Sequence, residues 1–157
     1  MAGRPGKIVP LFIASIGNPA PAYANTLHSA GHTALEQIRV VRGFAPFRKD
    51  SAAGAAGRGG LISRQSDPVA PGFSWLPGIL APGSSKTDRL GREPVKEGEE
   101  DWTLWQSTSL MNVSGKGLGQ AYGKWKRANK EGQLVVLHDE LEKALGKATF
   151  RRGGSAR

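Results

Sequence analysis

The sequence predicts an α/β fold in which helices cover a mostly parallel β-sheet. Two short apolar runs, residues 8–16 and residues 133–138, are rich in branched side chains and are typical of buried strands. Between them, Ala30–Val41 carries apolar residues at helical spacing. A strand and a helix near one end of the chain, with a helix and a strand near the other, favour helices layered on a sheet.

The boundaries of these elements follow from turn and charge signals. The run 8–16 ends in the sequence Gly-Asn-Pro, which predicts a strand closed by a turn. Residues 111–130 predict a second helix, because apolar side chains recur there every three or four positions. Lys and Arg crowd the last turns of that helix, where the helix dipole favours cations. The run 133–138 then predicts a strand that ends at an acidic turn.

The middle of the chain has a different composition. Residues 43–101 are dense in Gly, Pro, Ser and Ala, and they predict an extended insertion with two short strands at Gly60–Arg64 and residues 72–76. Trp102–Ser107 alternates apolar and polar residues and predicts a further strand, and residues 147–151 predict another. We therefore expect residues 1–157 to form a single domain that carries a Gly/Pro/Ser-rich insertion.

Composition and charge narrow the class of protein. The chain has no cysteine, which excludes disulfides, zinc–thiolate sites and thiol catalysis. Its formal net charge of +9 favours a polyanionic partner such as nucleic acid. The longest apolar run near the N-terminus is too short to cross a bilayer and contains Pro10. We expect an intracellular protein, cytoplasmic or mitochondrial, that does not bind membranes.

Five polar residues are candidates for chemistry, each with an ordinary structural alternative. His28 and His32 are four residues apart, which could place two ligands on one helix face, although no acidic residue lies between them as in zinc proteases. Asp139 follows a predicted strand at the sheet edge where ligands bind, but it could equally cap a helix. Asn18 and Asn112 also follow strand-like segments and could bind a carbonyl group or serve in turns.

Two glycine-rich segments partly match phosphate-binding loops. Residues 83–87 resemble the end of a nucleotide-binding loop, but no glycine directly precedes Lys86. Residues 115–119 contain Gly-x-Gly-x-Gly and lack the last glycine of the dinucleotide-binding pattern. Turn glycines explain both segments more simply, and a nucleotide-binding α/β domain remains an alternative only if a mononucleotide binds near residues 115–119.

Three motifs occur in order and together resemble the bacterial-type peptidyl-tRNA hydrolase family, which cleaves the ester between a peptide and tRNA. The resemblance covers residues 8–41 and 102–157. The motifs are Gly17-Asn18-Pro19-x-x-x-Tyr23-x-x-Thr26-x-His28-x-x-Gly31, Ser109-Leu-Met111-Asn112-x-Ser114-Gly115-Lys116 and Val135-Val-x-His138-Asp139-Glu-Leu-Glu. The resemblance implies one three-layer αβα domain with a mixed, mostly parallel central sheet.

The resemblance also implies a role for each site residue. His28 would be the base that activates water, and Asp139 would orient its imidazole. The implied binding residues are those for the peptide, namely Asn18, Tyr23, Met111 and Asn112, and those for the tRNA phosphates, namely Lys116, Arg151 and Arg152. The implied partner is peptidyl-tRNA, bound by a monomer that needs no metal or cofactor.

The sequence departs from the family pattern at several positions. Ala20, Leu27 and Ser29 replace the usual Gly, Arg and Asn. The chain ends at Arg157, just before the Gly-His-Asn-Gly motif of the family, so we expect a truncated domain that lacks its C-terminal strand and helix. The alternative function is therefore a catalytically inactive remnant that still binds tRNA or other RNA.

Overall fold

A computed structural model of the protein describes residues 9–49, 60–67 and 101–153. Within these ranges no helix is long and apolar enough to cross a membrane. Two 3-10 turns, Leu27–Ser29 and Met111–Val113, each lead directly into an α-helix. The strands and helices are β1 (Leu11–Ser15), α1 (Ala30–Val41), β2 (Arg48–Lys49), β3 (Gly60–Arg64), β4 (Trp102–Ser107), α2 (Ser114–Ala128) and β5 (Gln133–Leu137).

The strands form one mixed sheet in the order β2-β3-β4-β1-β5. Strand β1 runs parallel to both β4 and β5, whereas β3 is antiparallel to β4 and to β2. The predicted mixed α/β sheet is confirmed, with its parallel pairs concentrated around β1. Since the carboxyl ends of β1, β4 and β5 meet at the same edge, the segments that follow these three strands are brought together there.

Among the described residues, one helix covers each face of the sheet. Successive side chains of a strand point to opposite faces, so Phe12 and Ile13 of β1 enter different halves of the core. Ile13 packs with the fully buried Leu35 of α1. On the other face Phe12 packs with Trp105 and with aromatic side chains of α2, and its ring centroid lies 5.3 Å from that of Trp125. The helices and the sheet therefore form three layers.

Three of the four further strands that the sequence predicts lie within the described residues. The structure confirms Gly60–Arg64 and Trp102–Ser107 as strands. The prediction of a strand at residues 147–151 is wrong, because this exposed segment has irregular backbone and pairs with no other described strand. The predicted strand at residues 72–76 lies outside the described residues. The two-residue strand β2 was not predicted, because so short an element leaves no periodicity to detect.

Gly31, in the first turn of α1, lies against the edge of the sheet where the parallel strands end. A Cβ atom at this position would lie 2.5 Å from the carbonyl oxygen of Leu137 and 3.0 Å from that of Ile16. We expect Gly31→Ala to lower the free energy of unfolding by about 1–3 kcal/mol, because backbone must move. Urea denaturation measures this change.

Gly123 provides the matched control for that substitution. It also lies in a helix, but a Cβ atom there meets nothing within 4 Å. Gly123→Ala should raise the free energy of unfolding by about 0.5–1 kcal/mol, because glycine is a poor helix former. Equal stability changes for Gly31→Ala and Gly123→Ala would contradict the close contact between α1 and the strand ends.

Candidate active site

Backbone contacts fix the segment that leaves β1. The N–H of Ile16 donates to the carbonyl of Leu137 over 3.1 Å, and the N–H of Asn18 donates to the carbonyl of His28 over 2.8 Å. A Cβ atom on Gly17 would lie 2.6 Å from that same His28 oxygen, so only glycine allows the two backbones to approach so closely. The ends of β1 and β5 and the turn before α1 therefore form one packed unit.

His28 and Asp139 meet at this edge although they are 111 residues apart in the chain. His28 Nδ1 and Asp139 Oδ2 are separated by 2.9 Å. A carboxylate can only accept hydrogen bonds, so Nδ1–H donates, and Nε2 of the neutral imidazole is left as a proton acceptor. The His28 side chain is 46% exposed, so the imidazole ring is partly open to water. This is the arrangement that a general base requires.

The environment of Asp139 suits a group that stabilises a cation. Its side chain is only 8% exposed, and Oδ1 is buried without a hydrogen-bond partner among the described residues. A buried carboxylate that is only partly satisfied gains from an adjacent positive charge, because burial strengthens electrostatic attraction. Asp139 does not cap a helix, since the residues that follow it form turns and irregular backbone.

Asn18 is held in one orientation by the loop after β4. Its Oδ1 accepts a hydrogen bond of 2.9 Å from the N–H of Met111. This bond occupies the side-chain oxygen. The amide nitrogen Nδ2 remains available as a donor, and it forms no hydrogen bond with a described residue. The Asn18 side chain therefore offers a donor beside the backbone that carries His28, as stabilisation of a developing oxyanion requires.

The other predicted peptide-binding residues lie outside this hydrogen-bonded group. Asn112 follows Met111 in the 3-10 turn before α2 and is exposed. Tyr23 is 40% exposed in the loop after β1, where its carbonyl accepts a hydrogen bond from the hydroxyl of Thr26. The structure thus brings His28, Asp139, Asn18 and Met111 together and leaves Tyr23 and Asn112 at the surface.

A basic cleft of about 1060 Å³ lies beside Asp139, between β5 and the segment 138–153. Asp139 and Leu27 line it, while His28 does not, so the cleft adjoins the His28–Asp139 pair at Asp139. The acidic side chains in the lining are Asp139 and Glu140, against five cations: Lys126, Lys143, Lys147, Arg151 and Arg152. Lys116 is exposed in the first turn of α2 and is not part of the lining.

Three of these cleft lysines were not predicted as site residues. Lys126 was interpreted only as a favourable charge near the end of α2, and Lys143 and Lys147 follow the recognisable motif. The available signal was the excess of Lys and Arg over acidic residues in 143–152. Their common position on the cleft depends on the path of the segment after β5, which the sequence pattern does not specify.

The structure separates His28 from His32 and gives no support to a shared metal site. His28 lies in an exposed turn, whereas His32 is 6% exposed in α1, with Nδ1 hydrogen-bonded to Ser15 Oγ at 2.8 Å. The two histidines do not share one helix face, because His28 lies in the 3-10 turn that precedes α1. Within residues 9–49, 60–67 and 101–153, no group of three His, Asp or Glu side chains could hold a metal ion.

The glycine-rich segments also have ordinary surroundings where they are described. Gly115 and Gly119 belong to helix α2 rather than to a loop, and a Cβ atom at either would contact nothing within 4 Å. They therefore do not form a phosphate-binding loop that needs close backbone approach. Residues 83–87 lie outside the described residues.

Burial of His32 makes stability depend on pH. Loss of hydration lowers the pKa of His32 below its ordinary value of 6.5, and a backbone interaction with Gly17 opposes part of this lowering. The unfolded chain therefore binds a proton below pH 6.5 that the folded chain resists. We expect the free energy of unfolding to fall with pH below about 6.5, by at most about 1.4 kcal/mol per pH unit from this group.

Chemical denaturation between about pH 7 and pH 5 tests this expectation. His32→Phe removes the titrating group and is the control, since all other ionisable groups are retained. The free energy of unfolding of the wild type minus that of this variant should decrease as the pH falls. A constant difference would contradict a lowered pKa for His32.

Comparison with known proteins finds similar sequences. The sequence model of the peptidyl-tRNA hydrolase family matches residues 81–157. Proteins named peptidyl-tRNA hydrolase from Paracoccus denitrificans and Dinoroseobacter shibae are 30% and 31% identical to the chain, over 142 and 144 residues. These alignments cover 90% and 92% of this chain but 44% of each relative, so the chain spans less than half the length of the relatives it matches. Both comparisons therefore show that the chain is similar to the peptidyl-tRNA hydrolase family.

Proposed function

We propose that the protein hydrolyses the ester bond between peptide and tRNA in peptidyl-tRNA. The observation that carries this proposal is the hydrogen bond between Nδ1 of the half-exposed His28 side chain and Asp139 Oδ2, which leaves Nε2 to act as the base. The relatives named peptidyl-tRNA hydrolase support the choice of substrate. Such a substrate occurs where translation occurs, in the cytoplasm or in mitochondria. The protein acts as a monomer, with side chains and water as its only reagents.

The reaction follows from the positions of three side chains. Nε2 of His28 takes a proton from water, and the oxygen of that water attacks the ester carbonyl carbon. The Asp139 carboxylate stabilises the imidazolium that forms, and Asn18 Nδ2 donates to the carbonyl oxygen as it becomes negative. The imidazolium then returns the proton to the ribose oxygen of the tRNA as the C–O bond breaks. The products are a peptide with a free carboxyl group and an intact tRNA.

The exposed residues around this centre would hold the two ends of the substrate. Tyr23, Met111 and Asn112 lie on the loops that flank Asn18 and would contact the peptide end. The basic cleft beside Asp139 would take the phosphates of the tRNA, with Arg151 and Arg152 lining it and Lys116 lying on α2. Phosphate contacts supply affinity without reading sequence, which suits an enzyme that must act on many tRNAs.

Charge removal in the cleft should weaken tRNA binding. The double substitution Arg151→Ala with Arg152→Ala should lower tRNA affinity and reduce the slope of log K against log salt by about one per lost phosphate contact. Lys49→Ala is the control, because Lys49 is an exposed cation on β2 at the opposite edge of the sheet. Filter binding over a salt series measures both slopes. Equal slopes for the wild type and the double variant would place the tRNA elsewhere.

Release of a labelled peptide from peptidyl-tRNA tests the proposed activity. The intact 157-residue chain is incubated with N-acetylated aminoacyl-tRNA, and ester cleavage is followed after acid precipitation of the tRNA. We expect release well above the rate without protein. Salt-dependent tRNA binding without any release would contradict the hydrolase and favour the alternative of an inactive RNA-binding protein.

A further inference from the structure

Ser15 and His32 form a buried polar pair directly behind the site. Ser15 is the last residue of β1 and is fully buried, and His32 in the first turn of α1 is 6% exposed. Their side chains are joined by a hydrogen bond of 2.8 Å between Oγ and Nδ1. Neither residue takes part in the chemistry described above. We propose that this pair positions the Gly17–Asn18 backbone against His28 for the hydrolysis proposed above, on which this role in catalysis rests.

The Ser15–His32 pair contacts the backbone that leads to the site. A Cβ atom on Gly17 would be 3.4 Å from His32 Nε2, so the imidazole ring packs against the backbone of Gly17. The same Cβ position would lie 2.6 Å from the carbonyl oxygen of His28, which accepts the hydrogen bond from Asn18 N–H. The His32 ring and the backbone of His28 therefore both pack against the Cβ side of Gly17.

The hydrogen bond between Ser15 and His32 restrains the orientation of the imidazole ring, which apolar packing alone would not do. Burying a hydroxyl and an imidazole is costly, and the hydrogen bond between them offsets only part of that cost. The hydrogen bond also fixes the side-chain torsions of His32, because it requires Nδ1 to face Ser15. The opposite edge of the ring is thereby held against Gly17. An aromatic hydrocarbon would fill the same volume without this directional restraint.

Amide exchange at Asn18 tests the positioning role without depending on activity. The Asn18 N–H is protected by its bond to the His28 carbonyl, and the Leu104 N–H in the central strand β4 serves as the reference for global opening. We expect Ser15→Ala and His32→Phe each to raise the ratio of the Asn18 to the Leu104 exchange rate about three- to tenfold, the effect of losing one buried hydrogen bond.

Two further variants separate positioning from general destabilisation. Ile62→Val is the matched control, because Ile62 is buried in β3 and away from the site, and it should lower Tm without changing the exchange ratio. His32→Asn retains a polar atom near the place of Nδ1 and should restore the ratio when Ser15 is present, but not in the Ser15→Ala background. Unchanged ratios in Ser15→Ala and His32→Phe, or a change as large in Ile62→Val, would overturn the proposal.

Kinetics provide the second measurement. With peptidyl-tRNA as substrate, His32→Phe should lower kcat about three- to tenfold and leave KM within about twofold, since the substrate does not contact His32. A loss confined to KM would contradict a positioning role. If the wild-type chain releases no peptide, the hydrolase proposal fails, while the Asn18 exchange ratio still decides whether the pair holds the backbone in place.

Discussion

Replacing His28 by alanine should slow peptide release by about 10²–10⁴-fold, the usual contribution of a general base. The variant removes the imidazole that is hydrogen-bonded to Asp139 and that is proposed to take the proton from water. Asn18 would still polarise the ester carbonyl, so a residual rate should remain. Because His28 is half exposed, alanine leaves no cavity in the core, and the fold should keep its stability.

Comparison with a second histidine makes this prediction specific. His138 is exposed at the end of β5 and is hydrogen-bonded to the backbone carbonyl of Asp139. His138→Ala should stay within about threefold of the wild-type rate, because that imidazole does not contact the Asp139 carboxylate. Single-turnover release of peptide, with tRNA affinity measured in parallel, distinguishes lost chemistry from lost binding. Normal release by His28→Ala would contradict the mechanism.

Asp139→Asn should have the second-largest effect, a loss on the order of 10²–10⁴-fold in kcat. Asparagine keeps the size of the side chain but presents an amide that can donate to Nδ1 of His28. This favours the tautomer with hydrogen on Nε2, which cannot accept a proton from water. The negative charge that stabilises the imidazolium is lost as well.

Glu140→Gln is the matched control for that substitution. Glu140 is the exposed neighbour of Asp139, and it forms no hydrogen bond with His28. The control removes one carboxylate from the same turn and should change kcat by less than about twofold. Nitrogen-15 NMR of His28 should show hydrogen on Nδ1 in the wild type and in Glu140→Gln, and on Nε2 in Asp139→Asn. Hydrogen on Nδ1 in all three proteins would contradict the account of Asp139.

The fold could be predicted largely because its central elements have clear periodicity. The apolar runs around Ile13 and Val135 and the helical spacing around Leu35 are each local signals, and they predicted β1, β5 and α1. The order of strands is not a local property, so the sequence pattern alone did not place β1 between β4 and β5. The strand prediction for residues 147–151 failed because a short alternation shows only that a strand could form. It does not show that a neighbouring strand exists to pair with it.

The candidate site could be predicted in its residues but not in its contacts. The motif resemblance pointed to His28, Asp139 and Asn18, yet their meeting depends on parallel pairing of β1 with β5 across more than 100 intervening residues. The pairing of Ser15 with His32 was missed for the same reason. The signal was a polar residue at the end of an apolar strand and a histidine at a buried helical position, which a one-dimensional pattern cannot connect.

The central claim is that His28 and Asp139 act as one unit, and the variant that carries both His28→Ala and Asp139→Asn tests it most directly. If Asp139 acts only through His28, replacing Asp139 has no further effect once His28 is absent. The double variant should therefore release peptide no more slowly than His28→Ala alone. The measurement is single-turnover peptide release by the wild type, both single variants and the double variant. A double variant slower than His28→Ala by the full factor of Asp139→Asn would show independent roles and contradict the account.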